Sequence, residues 1–199
     1  MTEIELKAHV SDPAATEKKI CAFATFTKET EKFDAYWKNA NTVKVRIREE
    51  EGVTVVTYKK KELRGDIEVN DEKEFTIDDR EAFETLITDL GFSRDSIKHK
   101  KTKSFDYVAH DGAGNANGTP VTIELSRVDP LGWFVEIEIL KDNPDSETIE
   151  RSRKTLSETL KLCGIGEDAI EKRYYTEMIA LSYDARSKPG APIFQKHNN

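Results

Sequence analysis

The sequence predicts an α+β fold built on an antiparallel sheet of about eight strands, with about four helices packed against it. Two observations carry this prediction. Short segments in which apolar and polar residues strictly alternate recur along the chain, and this alternation has the period of a β-strand. The segments also lack the strand, helix, strand rhythm that builds parallel sheets, so antiparallel pairing is expected.

The first half of the chain contains five of these segments. The first, TEIELKAHV, places Ile4, Leu6 and Ala8 on one face and charged or polar residues on the other. Gly52 is expected to form a hairpin turn between the third and fourth strands. The predicted strands cover residues 2–10, 25–37, 43–48, 53–61 and 67–77, and the predicted helices cover 14–23, after Asp12 and Pro13, and 80–90, after Asp78 or Asp79.

The second half adds three strands and two helices. The predicted strands cover residues 97–108, 121–128 and 134–140, and the predicted helices cover 144–162 and 167–181. A Gly- and Asn-rich loop is expected at 111–118. The chain is predicted to form one domain over residues 1–183, followed by a C-terminal tail at 184–199.

Composition excludes several classes of function. The formal net charge of −7 argues against an outer surface that binds nucleic acid, since such binding depends on Lys and Arg neutralising phosphates. No apolar run approaches the roughly 20 residues that cross a bilayer, and the first residues lack the features of a signal peptide, so a cytoplasmic location is expected. Cys21 and Cys163 are far apart and are interpreted as small apolar fillers of helix faces.

Charged residues occupy one face of nearly every predicted strand, at i, i+2 spacing. In an open sheet these rows would face water, which is the ordinary explanation for any single strand. The rows are Glu3, Glu5 and Lys7; Lys44, Arg46 and Arg48; Lys59 and Lys61; Glu72 and Glu74; Lys101 and Lys103; and Glu136 and Glu138.

Taken together, the rows favour a different arrangement. The opposite strand faces are apolar and must pack under the helices, so that if the sheet closes, the charged face turns inward. An interior lined with both carboxylates and cations is costly unless a ligand neutralises it. A polyanion bound with a divalent metal ion would do so, because Arg and Lys bind phosphate oxygens and Glu binds the cation.

Several segments, in order along the chain, resemble the motifs of the CYTH, or triphosphate tunnel metalloenzyme, superfamily. Glu3-Ile4-Glu5-Leu6-Lys7 matches the ExExK signature of that family at the position where the family carries it. The other matching segments are Asp34-Ala35-Tyr36-Trp37, Val45-Arg46-Ile47-Arg48, Thr57-Tyr58-Lys59, Glu72-Lys73-Glu74, Lys101-Thr102-Lys103, the LGWFVEIE segment at 131–138, and the RYYTEMI segment at 173–179.

The resemblance implies a closed eight-stranded antiparallel β-barrel with helices outside, which binds a triphosphate together with Mg²⁺ or Mn²⁺. By the same resemblance, the metal-side carboxylates are Glu3, Glu5, Glu136 and Glu138, and the phosphate-binding and catalytic cations are Lys7, Arg46, Arg48 and Lys59, joined in substrate binding by Lys101 and Lys103. The charge rows add Lys44, Lys61, Glu72 and Glu74 to the predicted substrate site.

The sequence departs from the family pattern at several positions. Many relatives carry an acidic residue where this chain has Ser126, and Glu124, two residues earlier on the same face, is the predicted substitute in the metal site. Some relatives also carry an arginine at the position of Asn70, and Lys103 stands where Arg is usual. These differences bear on affinity and substrate choice more than on the fold.

The resemblance leaves three functions open. The first is a class IV adenylate cyclase, in which the ribose 3′-oxygen of ATP attacks the α-phosphorus and pyrophosphate leaves. The second is a triphosphatase acting on inorganic, thiamine or nucleoside triphosphate. The third is a non-catalytic polyphosphate-binding protein. The expected partner is a small molecule bearing a triphosphate, with no nucleic acid or membrane, and some relatives form a homodimer.

Overall fold

The computed structural model describes residues 2–40, 44–110 and 118–187, with the backbone alone at residues 59–62, 71 and 184–187. In this described part, eight strands form one antiparallel sheet accompanied by four α-helices, which confirms the predicted α+β class. The strands are β1 (Thr2–His9), β2 (Thr25–Lys38), β3 (Lys44–Glu50), β4 (Val53–Arg64), β5 (Ile67–Ile77), β6 (Ser93–Ala109), β7 (Thr119–Asp129) and β8 (Gly132–Lys141). The helices are α1 (Pro13–Ile20), α2 (Arg80–Asp89), α3 (Ser146–Leu162) and α4 (Tyr175–Ser187).

Local sequence signals explain where these elements begin and turn. An aspartate caps each of the first three helices by accepting a hydrogen bond from a backbone N–H of the first turn. In the hairpin between β3 and β4, Glu51 and Gly52 have φ angles of 51° and 80°, the left-handed values that a tight hairpin turn requires. The capping contacts run from Ala15 N to Asp12 at 3.0 Å, from Ala82 N to Asp79 at 2.9 Å and from Thr148 N to Asp145 at 2.8 Å.

Two elements differ from the prediction. Strand β6 begins at Ser93 rather than at residue 97, because Ser93 and Arg94 pair with the end of β2. The predicted helix over 167–181 is a 3-10 turn at Glu167–Ala169, an extended segment and then α4. The extended segment forms because Ile170 bridges to Ala8 of β1, and the next backbone N–H donates to the carbonyl of Lys7 at 2.8 Å.

The order of hydrogen-bonded neighbours is β1-β5-β4-β3-β2-β6-β7-β8, and β8 pairs in turn with β1, so the strands form a closed barrel. The two strands that flank β1 pair with it over different lengths. Its pairing with β8 covers the whole strand, whereas its pairing with β5 covers only Thr2–Glu5. The extended segment after the 3-10 turn therefore pairs with the half of β1 that β5 leaves uncovered.

The hydrophobic core lies mainly on the outer face of the barrel. Helix α3 packs Ile149, Leu156 and Leu160 against apolar side chains of β1, β7 and β8, and each fully buried Leu or Ile contributes roughly 1.5–3 kcal/mol. Of the two cysteines predicted to be apolar fillers, Cys163 is buried in this core, whereas Cys21 is exposed. None of the helices in the described ranges is long and apolar enough to cross a membrane.

Helix α4 packs in a different place. Its residues Tyr175, Met178 and Ile179 form a buried cluster with Val128 and Phe134. Val128 and Phe134 have the same strand parity as the cavity-lining Glu124 and Glu136, so they lie on the inner face of the barrel. The first turns of α4 therefore cover one end of the barrel interior.

Candidate active site in the barrel interior

A cavity of about 1040 Å³ lies inside the barrel, and every strand contributes side chains to its wall. The wall is dominated by charge, with carboxylates and cations in similar number. The carboxylates are Glu3, Glu5, Glu68, Glu72, Glu74, Glu124, Glu136 and Glu138, and the cations are Lys7, Lys32, Lys44, Arg46, Arg48, Lys98 and Lys100. The inner strand faces thus bring together the charge rows that the sequence shows separately.

Asp34 of β2 holds two of the cations in place. Arg48 donates to both oxygens of its carboxylate, from Nε at 2.7 Å and from Nη2 at 3.0 Å, and Lys98 Nζ lies 3.1 Å away. The Asp34 side chain is fully buried, and burial by itself would raise its pKa. Lys98 and Arg48 outweigh that effect and hold the pKa of Asp34 well below its usual range. The site therefore has a fixed ionic anchor.

Lys100, two residues from Lys98 on β6, lies between two carboxylates of the neighbouring strands β7 and β8. Its ammonium donates to Glu124 at 2.6 Å and to Glu136, and Lys32 donates to the other oxygen of Glu124 at 2.7 Å. Burial by itself would disfavour the charged form of each of these groups. Lys100 nevertheless lowers the pKa of Glu136, and Lys100 and Lys32 together lower the pKa of Glu124. The two carboxylates in turn raise the pKa of Lys100. Burial does prevail at Lys32, whose pKa is lowered. A bound anion would stabilise the charged form of Lys32.

The remaining carboxylates of β1 and β8 are in a different electrostatic situation. Burial, followed by the nearby charges of Glu3, Glu124 and Glu136, raises the pKa of Glu138 to about 8. Strand pairing places Glu138 directly opposite Glu5 and two residues from Leu140, the partner of Glu3. The carboxylates in this part of the wall therefore repel one another, and a bound cation would reduce that repulsion.

The donor set here suits a hard divalent cation in kind. Mg²⁺ and Mn²⁺ prefer carboxylate and water oxygens, and a cation beside Glu138 would offset the burial and the neighbouring carboxylates that raise its pKa. In the ranges that the structure describes, no three acidic, histidine or cysteine side chains stand close enough together to form a ready-made metal site. Cation binding would have to draw the carboxylates together.

Two further groups complete the wall. Arg46 donates to Thr57 Oγ1 at 2.9 Å and to Glu74 at 3.1 Å, and the Thr57 hydroxyl donates to the same Glu74 oxygen at 2.7 Å. Lys7 lies near the end that α4 covers, where its ammonium donates to the carbonyl of Arg173 at 2.7 Å. Both cations are thereby held with their charged ends at the cavity.

Most of the predicted site residues line this cavity. They are Glu3, Glu5, Lys7, Lys44, Arg46, Arg48, Glu72, Glu74, Glu124, Glu136 and Glu138. The side chains of Lys59 and Lys61 lie outside the described residues. Glu124 occupies the predicted wall, but it contacts Lys32 and Lys100, and Ser126 bonds to Thr102 at 3.0 Å on the same face.

The prediction that Lys101 and Lys103 of β6 belong to the substrate site was wrong, because the neighbouring residues of the strand face inward instead. Lys101 and Lys103 lie on the outer face of the barrel, where they pair with Glu31 at 3.3 Å and Glu17 at 2.7 Å. The reason is Phe105, which shares their parity and is fully buried in the outer core. The cations that reach the interior from this strand are Lys98 and Lys100.

Sequence reasoning also missed interior residues on other strands. On β2, Lys32, Asp34 and Tyr36 alternate with the apolar Ala35 and Trp37, which pack on the outside. That alternation was a usable signal, because the apolar parity marks the outer face. Other unassigned interior residues are Glu68, in phase with Glu72 and Glu74, and the tyrosines 174 and 175.

Comparison with known proteins agrees with this geometry. A protein of Methanocaldococcus jannaschii named "Putative adenylate cyclase" is 24% identical over 188 residues, which cover 91% of this chain and 100% of that protein. A solved structure from Pyrococcus horikoshii is 28% identical, with a TM-score of 0.71 over 88% of this chain and 98% of that one.

A more distant solved structure has the same fold. It is a Hippeastrum protein named a "putative adenylyl cyclase" and described with a dominant triphosphatase activity, 15% identical, with a TM-score of 0.58 over 92% of this chain and 96% of that one. The model of the CYTH domain matches residues 1–175. This chain is therefore a member of the CYTH family.

Proposed function

We propose that this protein is a divalent-metal-dependent enzyme that binds a triphosphate inside the barrel, which serves as a closed tunnel, and converts ATP to cyclic AMP and pyrophosphate. The observation that carries the proposal is the cavity wall, on which seven described cations and eight carboxylates converge from seven of the eight strands, all except β4. Such a wall offers binding partners to a ligand that brings both negative and positive charge. A triphosphate with a divalent cation is such a ligand.

The cations form the phosphate-binding part of the site. Arg46 and Arg48 offer planar guanidinium groups that bind two oxygens at once, and Lys98 and Lys100 add point charges on the neighbouring wall. Asp34 and Glu124 hold these groups in position before substrate arrives, so little side-chain ordering remains to be done on binding. We therefore assign Glu124 to positioning lysines, and not to the metal.

The carboxylates of β1 and β8 would hold the cation. We assign it to Glu3, Glu5 and Glu138, because burial and neighbouring carboxylates raise the pKa of Glu138 and a cation beside it would favour its charged form. A bound Mg²⁺ or Mn²⁺ would supply neutralisation of the phosphate charge and of the departing pyrophosphate. In the reaction, the ribose 3′-oxygen bonds to the α-phosphorus and loses its proton to solvent, while the bond from that phosphorus to the α–β bridging oxygen breaks and pyrophosphate leaves. The chain's own cations stabilise the charge that develops on the leaving group.

The size and rim of the cavity favour a substrate with an organic part. Its volume of about 1040 Å³ is at the upper end of the roughly 300–1,000 Å³ typical of small-molecule sites. The wall also includes Val45, Tyr58, Leu140 and Tyr174, apolar or aromatic side chains that an inorganic triphosphate would not need. Aromatic faces of this kind stack on bases. The name of the Methanocaldococcus relative, which aligns over its whole length, points the same way.

A triphosphatase is the second candidate, because the same charged wall would serve attack by water on a terminal phosphorus. The specific observation in its favour is the triphosphatase activity described for the Hippeastrum protein of the same fold. The two reactions differ in the position of the attacked phosphorus and in the nucleophile. They therefore give different products from ATP.

Product analysis distinguishes these functions. The purified protein is incubated with ATP, inorganic triphosphate and thiamine triphosphate, each with Mg²⁺, with Mn²⁺ and with EDTA. Cyclic AMP with pyrophosphate supports the cyclase, and orthophosphate supports the triphosphatase. Tight binding of triphosphate without turnover would leave a non-catalytic polyphosphate-binding protein. Equal turnover in EDTA would contradict the metal-dependent mechanism.

A further inference from the structure

Tyr175, the first residue of α4, reaches into the charged cavity from the end that this helix covers. Its ring packs edge-on against Phe134, with 5.2 Å between the ring centroids and an interplanar angle of 84°. The residue is 92% buried, since its exposed fraction is 8%. A buried aromatic ring in this place is explained by packing alone, but its hydroxyl is not.

The Tyr175 hydroxyl has no hydrogen-bond partner among the residues that the structure describes. Burying an unpartnered hydroxyl destabilises a protein, and phenylalanine would give the same packing without that penalty. The group therefore requires a partner that the described residues do not supply. Burial, followed by the charges of Glu136 and Glu5, raises the pKa of Tyr175 well above its usual range, so the phenol keeps its proton at neutral pH and can donate a hydrogen bond to an acceptor.

Two ammonium groups mark the kind of acceptor. The Nζ atoms of Lys7 and Lys98 each lie 4.6 Å from the centroid of the Tyr175 ring, at cation–π distance. Both lysines line the cavity, and both are fixed by other contacts, Lys7 by the Arg173 carbonyl and Lys98 by Asp34. An acceptor that approaches two ammonium groups and a phenol is an anionic oxygen.

We infer that Tyr175, with Lys7 and Lys98, forms a subsite for a phosphate oxygen of the substrate, to which the Tyr175 hydroxyl donates a hydrogen bond. This inference rests on the proposed function, since the triphosphate is the anion that the cavity would take. It makes α4 part of the substrate site rather than only a cover over the barrel end. The ring contacts both lysines, and the hydroxyl adds a directional hydrogen bond to their charge.

The test is Tyr175→Phe, which keeps the ring, both cation–π contacts and the packing on Phe134. Binding of inorganic triphosphate is measured by calorimetry, first with EDTA and then with Mg²⁺. Losing one hydrogen bond to a charged acceptor should weaken binding about 10- to 100-fold. The thermal midpoint should stay level or rise by about 2–4 °C, because an unpartnered hydroxyl has gone.

This combination separates a binding role from a structural one, because a structural hydroxyl would lower the midpoint. The matched control is Tyr183→Phe, the same change at an exposed position of α4 outside the cavity wall, and it should bind like the wild type. If the wild type binds and Tyr175→Phe binds equally well, the inference is overturned while the proposed function stands. If the wild type binds no triphosphate with either EDTA or Mg²⁺, the proposed function fails and this inference fails with it.

Discussion

Replacing Asp34 by asparagine should destabilise the protein strongly, because it removes one carboxylate from between two buried cations. The Asp34 side chain is fully buried, and the side chains of Lys98 and Arg48 are only 4% and 15% exposed. Removing one partner of a buried ion pair costs about 3–5 kcal/mol, since the charge left behind is uncompensated. For a chain of this size, that corresponds to a fall of about 6–20 °C in the thermal midpoint.

The assay is urea denaturation of wild type and Asp34→Asn, with Glu147→Gln as the control. Glu147 pairs with Arg151 on the surface of α3, where both side chains are mostly exposed, so its loss should change stability by less than about 0.5 kcal/mol. A loss below about 1 kcal/mol in Asp34→Asn would refute the reasoning, because it would mean that solvent already screens Arg48 and Lys98.

The same anchor has a pH dependence of known sign. The pKa of Asp34 is lower in the folded protein than in the unfolded chain, so its contribution to stability is present above the unfolded value, near 3.9, and is lost as the pH falls below it. The difference in unfolding free energy between wild type and Asp34→Asn should therefore shrink as the pH is lowered below about 3.9. A difference that stays constant down to pH 2.5 would contradict the charged anchor.

Three other predictions follow from the interior and the core. Lys100→Met should weaken binding of inorganic triphosphate, measured by calorimetry, at least about tenfold, because it removes an interior cation. Lys101→Met, on the outer face, should leave binding unchanged. The opposite result would mean that Lys101 faces the interior, as the sequence predicted. Above the Glu138 pKa of about 8, Glu138→Gln should raise the thermal midpoint in EDTA by relieving repulsion among the carboxylates, and it should reduce the stabilisation by added Mg²⁺. Burial raises the pKa of Cys163 to about 12, so a thiol reagent at pH 8 should label only Cys21 in the native protein, as mass spectrometry of peptides would show.

Much of the fold followed from local sequence patterns. Alternation located all eight strands within a few residues, because each strand has one face in the outer core and one in the charged interior. The predicted aspartate caps located two helix starts for the same local reason, whereas the cap of α3 at Asp145 was not predicted. The prediction of one helix over 167–181 was wrong, because Ile170 and its neighbours pair with the half of β1 that β5 leaves uncovered. This partner is distant in the sequence, so local patterns do not reveal it.

Site residues could be predicted on strands with charged residues on only one face. The prediction failed on a strand with charged residues on both faces. In β6 the lysines at 98, 100, 101 and 103 fall on both faces, so charge cannot choose between them. Only the apolar Phe105 shows which parity faces the outer core, and hence which lysines face inward. Asp34 was missed for another reason, since its importance lies in two partners on other strands.

The short seam between β1 and β5 has a consequence for assembly. Beyond Glu5, the backbone of β1 is covered on that side by residues near Ile170, which belong to the region after α3. An uncovered strand edge is a template to which a second chain can add a strand. By covering this edge, residues around 170–173 prevent a second chain from pairing with β1. A version of the chain that ended before them would expose the unpaired backbone of β1 and should self-associate.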